Sequence, residues 1–123
     1  MMTAPAVLEM VRTGAVPGPG FNELRLELRA GTRLEEIGQG RMTSEEARGT
    51  FAIRQRTAAK AGVPVEGLAE LLSELSAMKR EEELVLFHFG TRRHVFTVVI
   101  HAPDQKLVGC IRAPRQELPG PEQ

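Results

Sequence analysis

The last third of the chain carries apolar residues at both odd and even positions. Leu84 to Ala102 reads LVLFHFGTRRHVFTVVIHA. Two β-branched and aromatic runs flank a Gly-Thr-Arg-Arg turn, and a third follows Pro103-Asp104, so the pattern predicts strands near 84–89, 94–101 and 106–112 in an antiparallel meander. A turn over Gly90–Arg93 sets Phe89 opposite His94, Phe87 opposite Phe96 and Val85 opposite Val98. The second turn sets Ile100 opposite Leu107, Val98 opposite Gly109 and Phe96 opposite Ile111. One face then holds Val85, Phe87, Phe89, Phe96, Val98, Ile100, Leu107 and Ile111. The other holds Leu84, Leu86, His88, Val95, Thr97, Val99, His101, Val108 and Cys110. Both faces are mostly apolar, whereas a wetted antiparallel face turns polar. Each face therefore needs a cover. The chain's own helices are the favoured one, and a second copy or another protein is the alternative.

Upstream, the period lengthens. Thr43-Ser44-Glu45-Glu46 has the form of a capping box, opening a helix to about Ala61 that Gly62 and Pro64 stop. With Pro64 in its first turn, a second helix to about Lys79 aligns Leu68, Leu71, Leu72, Leu75 and Met78, the expected lid for the Phe face. Residues 4–12 read as a short helix with Val7, Leu8 and Val11 on one side, followed by a Pro/Gly connector. ELRLELR alternates strictly, which predicts an early strand near 23–29, with a helix as the alternative. Around Leu34 and Ile37 the sequence allows a short strand or a helical turn. The expected fold is α+β in one domain over 1–115, with 116–123 a Pro-punctuated, mobile tail.

Composition narrows the class. Of 123 residues, 41% are hydrophobic and 26% charged, the balance of a globular chain. No apolar run approaches the roughly 18 residues a membrane-spanning helix needs. The first twelve residues lack a basic start and carry Glu9, against a signal peptide. Cys110 stands alone, which excludes an internal disulfide and fits a reducing cytoplasm. Zero formal net charge removes a global pull toward nucleic acid or anionic membrane.

Candidate chemistry is sparse. His88, His101 and Cys110 share a face in the expected register, but His88 and His101 are then about 20 Å apart, and His88 and Cys110 about 12 Å. Zinc ligands and a Cys–His nucleophile both need far closer approach, so no catalytic or metal site and no cofactor is assigned. The Gly-rich stretch before Phe21 lacks the Lys-Ser/Thr of a phosphate loop. TAAKAGVPVEGLAELL has the spacing of a helix-turn-helix, yet its second helix would present Glu66, Glu70 and Glu74 to phosphates.

These exclusions leave a non-catalytic cytoplasmic binding or regulatory module that works through protein contacts, with a homodimer in view. It would use the second sheet face or an exposed strand edge, with Arg92, Arg93 and His94 as the contact rim. The first alternative is nucleic-acid binding by the basic helix over 47–60, through Arg48, Arg54, Arg56 and Lys60, or by the basic 92–93 turn. The second is a small-ligand enzyme with a pocket between helices and sheet, for which His88 and Cys110 would be the first candidates.

Overall fold

A computed structural model describes residues 2–115; the expected tail over 116–123 lies outside them. Four helices and four strands follow in the order α1 (Ala4–Thr13), α2 (Pro19–Arg29), β1 (Glu35–Thr43), α3 (Ser44–Ala61), α4 (Leu68–Ser76), β2 (Glu83–Gly90), β3 (His94–His101), β4 (Lys106–Pro114). The strands form one antiparallel sheet in sequence order. The α+β class and the C-terminal meander packed on helices are as expected.

The sheet is sandwiched within the chain. Val7, Val11, Phe21 and Leu24 from α1 and α2 pack on Phe87, Phe89, Phe96, Val98, Ile100 and Cys110. On the opposite face Ala47, Phe51, Leu68, Leu71 and Leu75 from α3 and α4 pack on Leu84, Leu86, Val99 and Ile111. Each buried Val, Leu, Ile or Phe among them contributes about 1.5–3 kcal/mol relative to exposure. The Leu stripe therefore lies on the face opposite to the one expected, and the Phe face is closed by α1 and α2.

One of the two helices that close the Phe face was expected as a strand. The expected strand near 23–29 is the helix α2. Its leucines alternate by two, but Phe21, Leu24 and Leu28 also recur at helical spacing and meet the core, while Leu26 points away and is 55% exposed. Pro19 enters the first turn, and Gly31, with φ 73°, supplies the left-handed stop. The capping box at Thr43 is present as read: Glu46 N–H donates to Thr43 Oγ1, and Thr43 N–H donates to the Glu46 carboxylate. Gly62 ends α3 at φ 68°.

The second helix begins four residues later than expected. Glu66 is instead extended and exchanges backbone hydrogen bonds with Arg112 (3.0 and 2.9 Å) before Gly67 turns the chain into α4. This one-residue bridge lies along the outer edge of β4. Nearby, α2 and α4 begin so close to β4 that a Cβ on Gly20 or Gly67 would lie 1.8 or 2.1 Å from the Cys110 carbonyl oxygen. The β4 edge is thereby occupied from Cys110 to Arg112.

Two register differences bear on function. The β2–β3 pairing sets Phe89 against Phe96 and Phe87 against Val98, two residues from the expected match. The cause is a turn of the same size placed one residue later, over Thr91–His94, in which Thr91 N–H donates to the His94 carbonyl and Thr91 Oγ1 accepts from the N–H groups of Arg93 and His94. An even shift keeps every side chain on its face. In β4, Ile100 does pair with Leu107 as expected, but a bulge then sets Val99 against Gly109 and Thr97 against Ile111. One extra residue reverses the faces beyond it, so Cys110 joins the Phe side and Ile111 the Leu side.

Candidate interaction surface

The open edge of the sheet is β1. Its residues Glu35 to Gln39 and Arg41 are exposed, and β2 pairs only one side of it. Alternation of hydrogen-bonded pairs fixes which backbone groups point outward. The Thr91 N–H to His94 carbonyl bond makes Phe89–Phe96 and Phe87–Val98 bonded pairs, so the even residues of β2 turn their backbone toward β1. Their partners Gly38, Gly40 and Met42 are then bonded inward. Gln39 and Arg41 present N–H and C=O outward, as does Glu36 across the bulge at Ile37. Among the described residues no backbone hydrogen bond reaches these outward groups.

Glu36, Gln39 and Arg41 also share a side-chain face, that of Phe89, Phe87 and Val85. Arg41 has a long contact of 3.7 Å to Glu83, both side chains more than half exposed, which is worth little in water. The opposite side of the strand is bare at Gly38 and Gly40, whereas Met42 packs against the α3–α4 side of the core. Gly38 and Gly40 have ordinary backbone angles, and a Cβ on either would meet nothing within 4 Å.

The expected rim is adjacent to this strand rather than on it. Arg92 and Arg93 are exposed at the β2–β3 turn and His94 is half-buried. Arg115 ties the turn to β1: it donates to the Thr91 carbonyl (3.1 Å) and pairs with Glu35 (2.8 Å). A shallow hollow there is lined by Arg33, Glu35, Glu36, Arg92 and Arg115. The structure thus brings Arg92 beside the acidic start of β1.

The four basic residues expected on this helix differ in their settings. Arg48 donates to the Met78 carbonyl and so fastens α3 to the end of α4. Arg54, Arg56 and Lys60 are exposed. Arg54 also stands near His88, whose imidazole burial, with this guanidinium second, holds below its ordinary pKa. An open groove of about 540 Å³ runs between Ile53, Arg54 and Thr57 of α3 and Val95 and Ala113 of the sheet.

The candidate enzyme residues are dispersed. His88 Nδ1 lies 2.9 Å from Thr97 Oγ1 under α3, whereas Cys110 is on the other face, where burial pushes its thiol up. Thr97, not Val95, is level with His88, which leaves four residues between levels of His88 and His101, about 13 Å. His101 is instead held between Glu82 (2.8 Å) and Asp104 (2.9 Å). Among the described residues no three His, Cys, Asp or Glu side chains form a group that could hold a metal ion. No helix among them is long and apolar enough to cross a membrane.

Comparison adds no outside bearing on these surfaces: no family model, no curated protein and no solved structure matches the chain.

The open edge was half legible. A free strand edge was among the expected contact surfaces, but EEIGQGRMT carries no alternation and few β-formers, so its location was hidden. The second sheet face, the other expected contact surface, is filled by α3 and α4.

Proposed function

We propose that this protein is a non-catalytic binding module that recruits an extended protein segment along β1. The observation that carries the reading is the asymmetry of the two sheet edges. One is closed by Glu66 and the starts of α2 and α4, and the other presents the outward backbone of Glu36, Gln39 and Arg41. An added strand gains main-chain hydrogen bonds there, and the side chains of alternate residues give the choice of partner. Arg92, which lines the hollow at the start of β1, supplies a basic rim to the same surface. A single cysteine buried as a thiol suits a reducing compartment such as the cytoplasm.

The test is a comparison of partner capture by the wild-type chain and by Gln39→Pro. Proline removes an outward N–H while leaving the bonds of Gly38 and Gly40 to β2, the position at which an edge strand accepts it. Partners held by the wild type and lost from a Gln39→Pro protein of unchanged circular dichroism support the reading. Equal capture by both overturns it.

A further inference from the structure

We infer that the strand added to β1 is β1 of a second copy, antiparallel about a two-fold axis at Gln39. This rests on the reading of β1 as the pairing edge and names the partner for it.

Register selects the partner. Outward-facing residues must pair with outward-facing residues, and a two-fold axis at Gln39 sets Gln39 against its own copy. Arg41 is two ladder steps from Gln39 in one direction. In the other direction the bulge removes Ile37 from the ladder, so two steps lead to Glu36. Glu36 of each copy is therefore directly opposite Arg41 of the other, on the same face of the joined sheet. Without the bulge Ile37 would occupy that place, so the irregularity brings opposite charges level.

Charge on an edge strand ordinarily guards against pairing. Here the two signs sit at positions that a two-fold axis exchanges, so like chains attract where a guarded edge repels. The glycines fit the same register. Gly38 of one copy lies opposite Gly40 of the other, making a side-chain-free strip across the joint where two backbones approach. Nothing in the chain's own packing calls for glycine at either place. The result is one continuous eight-stranded sheet, formed from two copies of a four-stranded one. A joint made mainly of one strand pair is small, at the low end of specific interfaces, so the dimer is expected to dissociate on dilution.

Sedimentation or light scattering across concentration tests this. The wild type is expected at twice the 13.5 kDa chain mass at about 100 µM. Glu36→Arg and Arg41→Glu should each weaken the dimer about tenfold or more, because each reverses two symmetric cross-strand pairs. Mixed in equal amounts, these two variants should recover a dimer, since each copy then faces opposite charge at both places. A dimer that ignores these charge reversals, or a mixture that stays monomeric, overturns the two-fold register. A wild type that is monomeric at 100 µM, yet binds another protein in a way that Gln39→Pro abolishes, overturns self-pairing and leaves the pairing edge standing. A dimer unaffected by Gln39→Pro removes both.

Discussion

His101 is clamped between two carboxylates, its Nε2 2.8 Å from Glu82 and its Nδ1 2.9 Å from Asp104, and so joins the start of β2 to the β3–β4 turn. With a carboxylate at each ring nitrogen, the imidazole is satisfied on both sides only when protonated. The Glu82 bond and then the Asp104 bond raise its pKa above the ordinary value, against a smaller effect of burial.

A pH dependence of stability follows with a definite sign. A folded-state pKa above the unfolded value means that the native protein binds the proton more tightly. The clamp contributes fully below pH ~6.5 and is lost as pH rises through the raised value. Asp104 sets the acid limit: its own pKa is lowered, first by His101, so its contribution is lost as pH falls below ~4. Thermal melts should show a Tm decline of about 1–4 °C on the alkaline side that His101→Gln lacks, a small effect because the carboxylates are partly exposed. Identical alkaline slopes for the two proteins would remove the clamp as the cause.

Cys110 should be inert in the folded protein. Its side chain is buried on the Phe side of the sheet, where burial pushes the thiol up and leaves no thiolate to react. Reaction with a thiol reagent should await unfolding, and its rate should track stability along a urea series. Fast labelling in native buffer would place this residue on the surface and undo the β4 register.

That register shows where the sequence was readable and where it was not. Local signals carried through: the Thr43–Glu46 box, the Gly62 stop and the first helix all stand where side-chain chemistry put them. Apolar alternation in β2 and β3 was equally plain, because an error of two residues cannot move a side chain across a sheet. Failure came where two periods fit one segment or where one residue was spare. Leu24, Leu26 and Leu28 satisfy a strand, but only a helix lets Phe21 and Leu24 enter the core together while Leu26 stays outside. The bulge beside Val108 was marked in the sequence only by Gly109, a residue whose place inside a strand is itself a sign of such a bulge. For the proposed binding surface, Arg92 and Arg93 were legible as exposed turn residues, whereas the pairing strand itself was not. The edge of β1 is a matter of which backbone groups lack a partner, and side-chain identities do not record that.

The capping box makes the junction of β1 with α3 sensitive to a small change. Thr43 is both the last residue of the strand and the cap of the helix. Thr43→Ala removes the acceptor for Glu46 N–H and should lower stability by about 1 kcal/mol, within the 0.5–2 kcal/mol span of such caps. The expected signature is a lower urea midpoint at unchanged slope. An unchanged midpoint would mean that water replaces the cap at no loss.

The glycines divide into two classes that alanine substitution should separate sharply. At Gly20 a Cβ would lie 1.8 Å from the Cys110 carbonyl oxygen and 2.4 Å from its carbonyl carbon. Both are backbone atoms of β4, so relief requires α2 to move away from the sheet. Gly67 adds a φ of 85° to a similar approach of 2.1 Å. Gly20→Ala and Gly67→Ala should therefore each cost more than about 3 kcal/mol or prevent folding. At Gly40 the Cβ points into open space and the backbone is ordinary strand, so Gly40→Ala should leave monomer stability unchanged or raise it by up to about 1 kcal/mol. Chemical denaturation at a concentration low enough to dissociate dimers gives the comparison. A tolerated Gly20→Ala would mean that α2 does not sit against β4 as closely as described, and the closure of that edge, on which the asymmetry of the sheet depends, would fall with it.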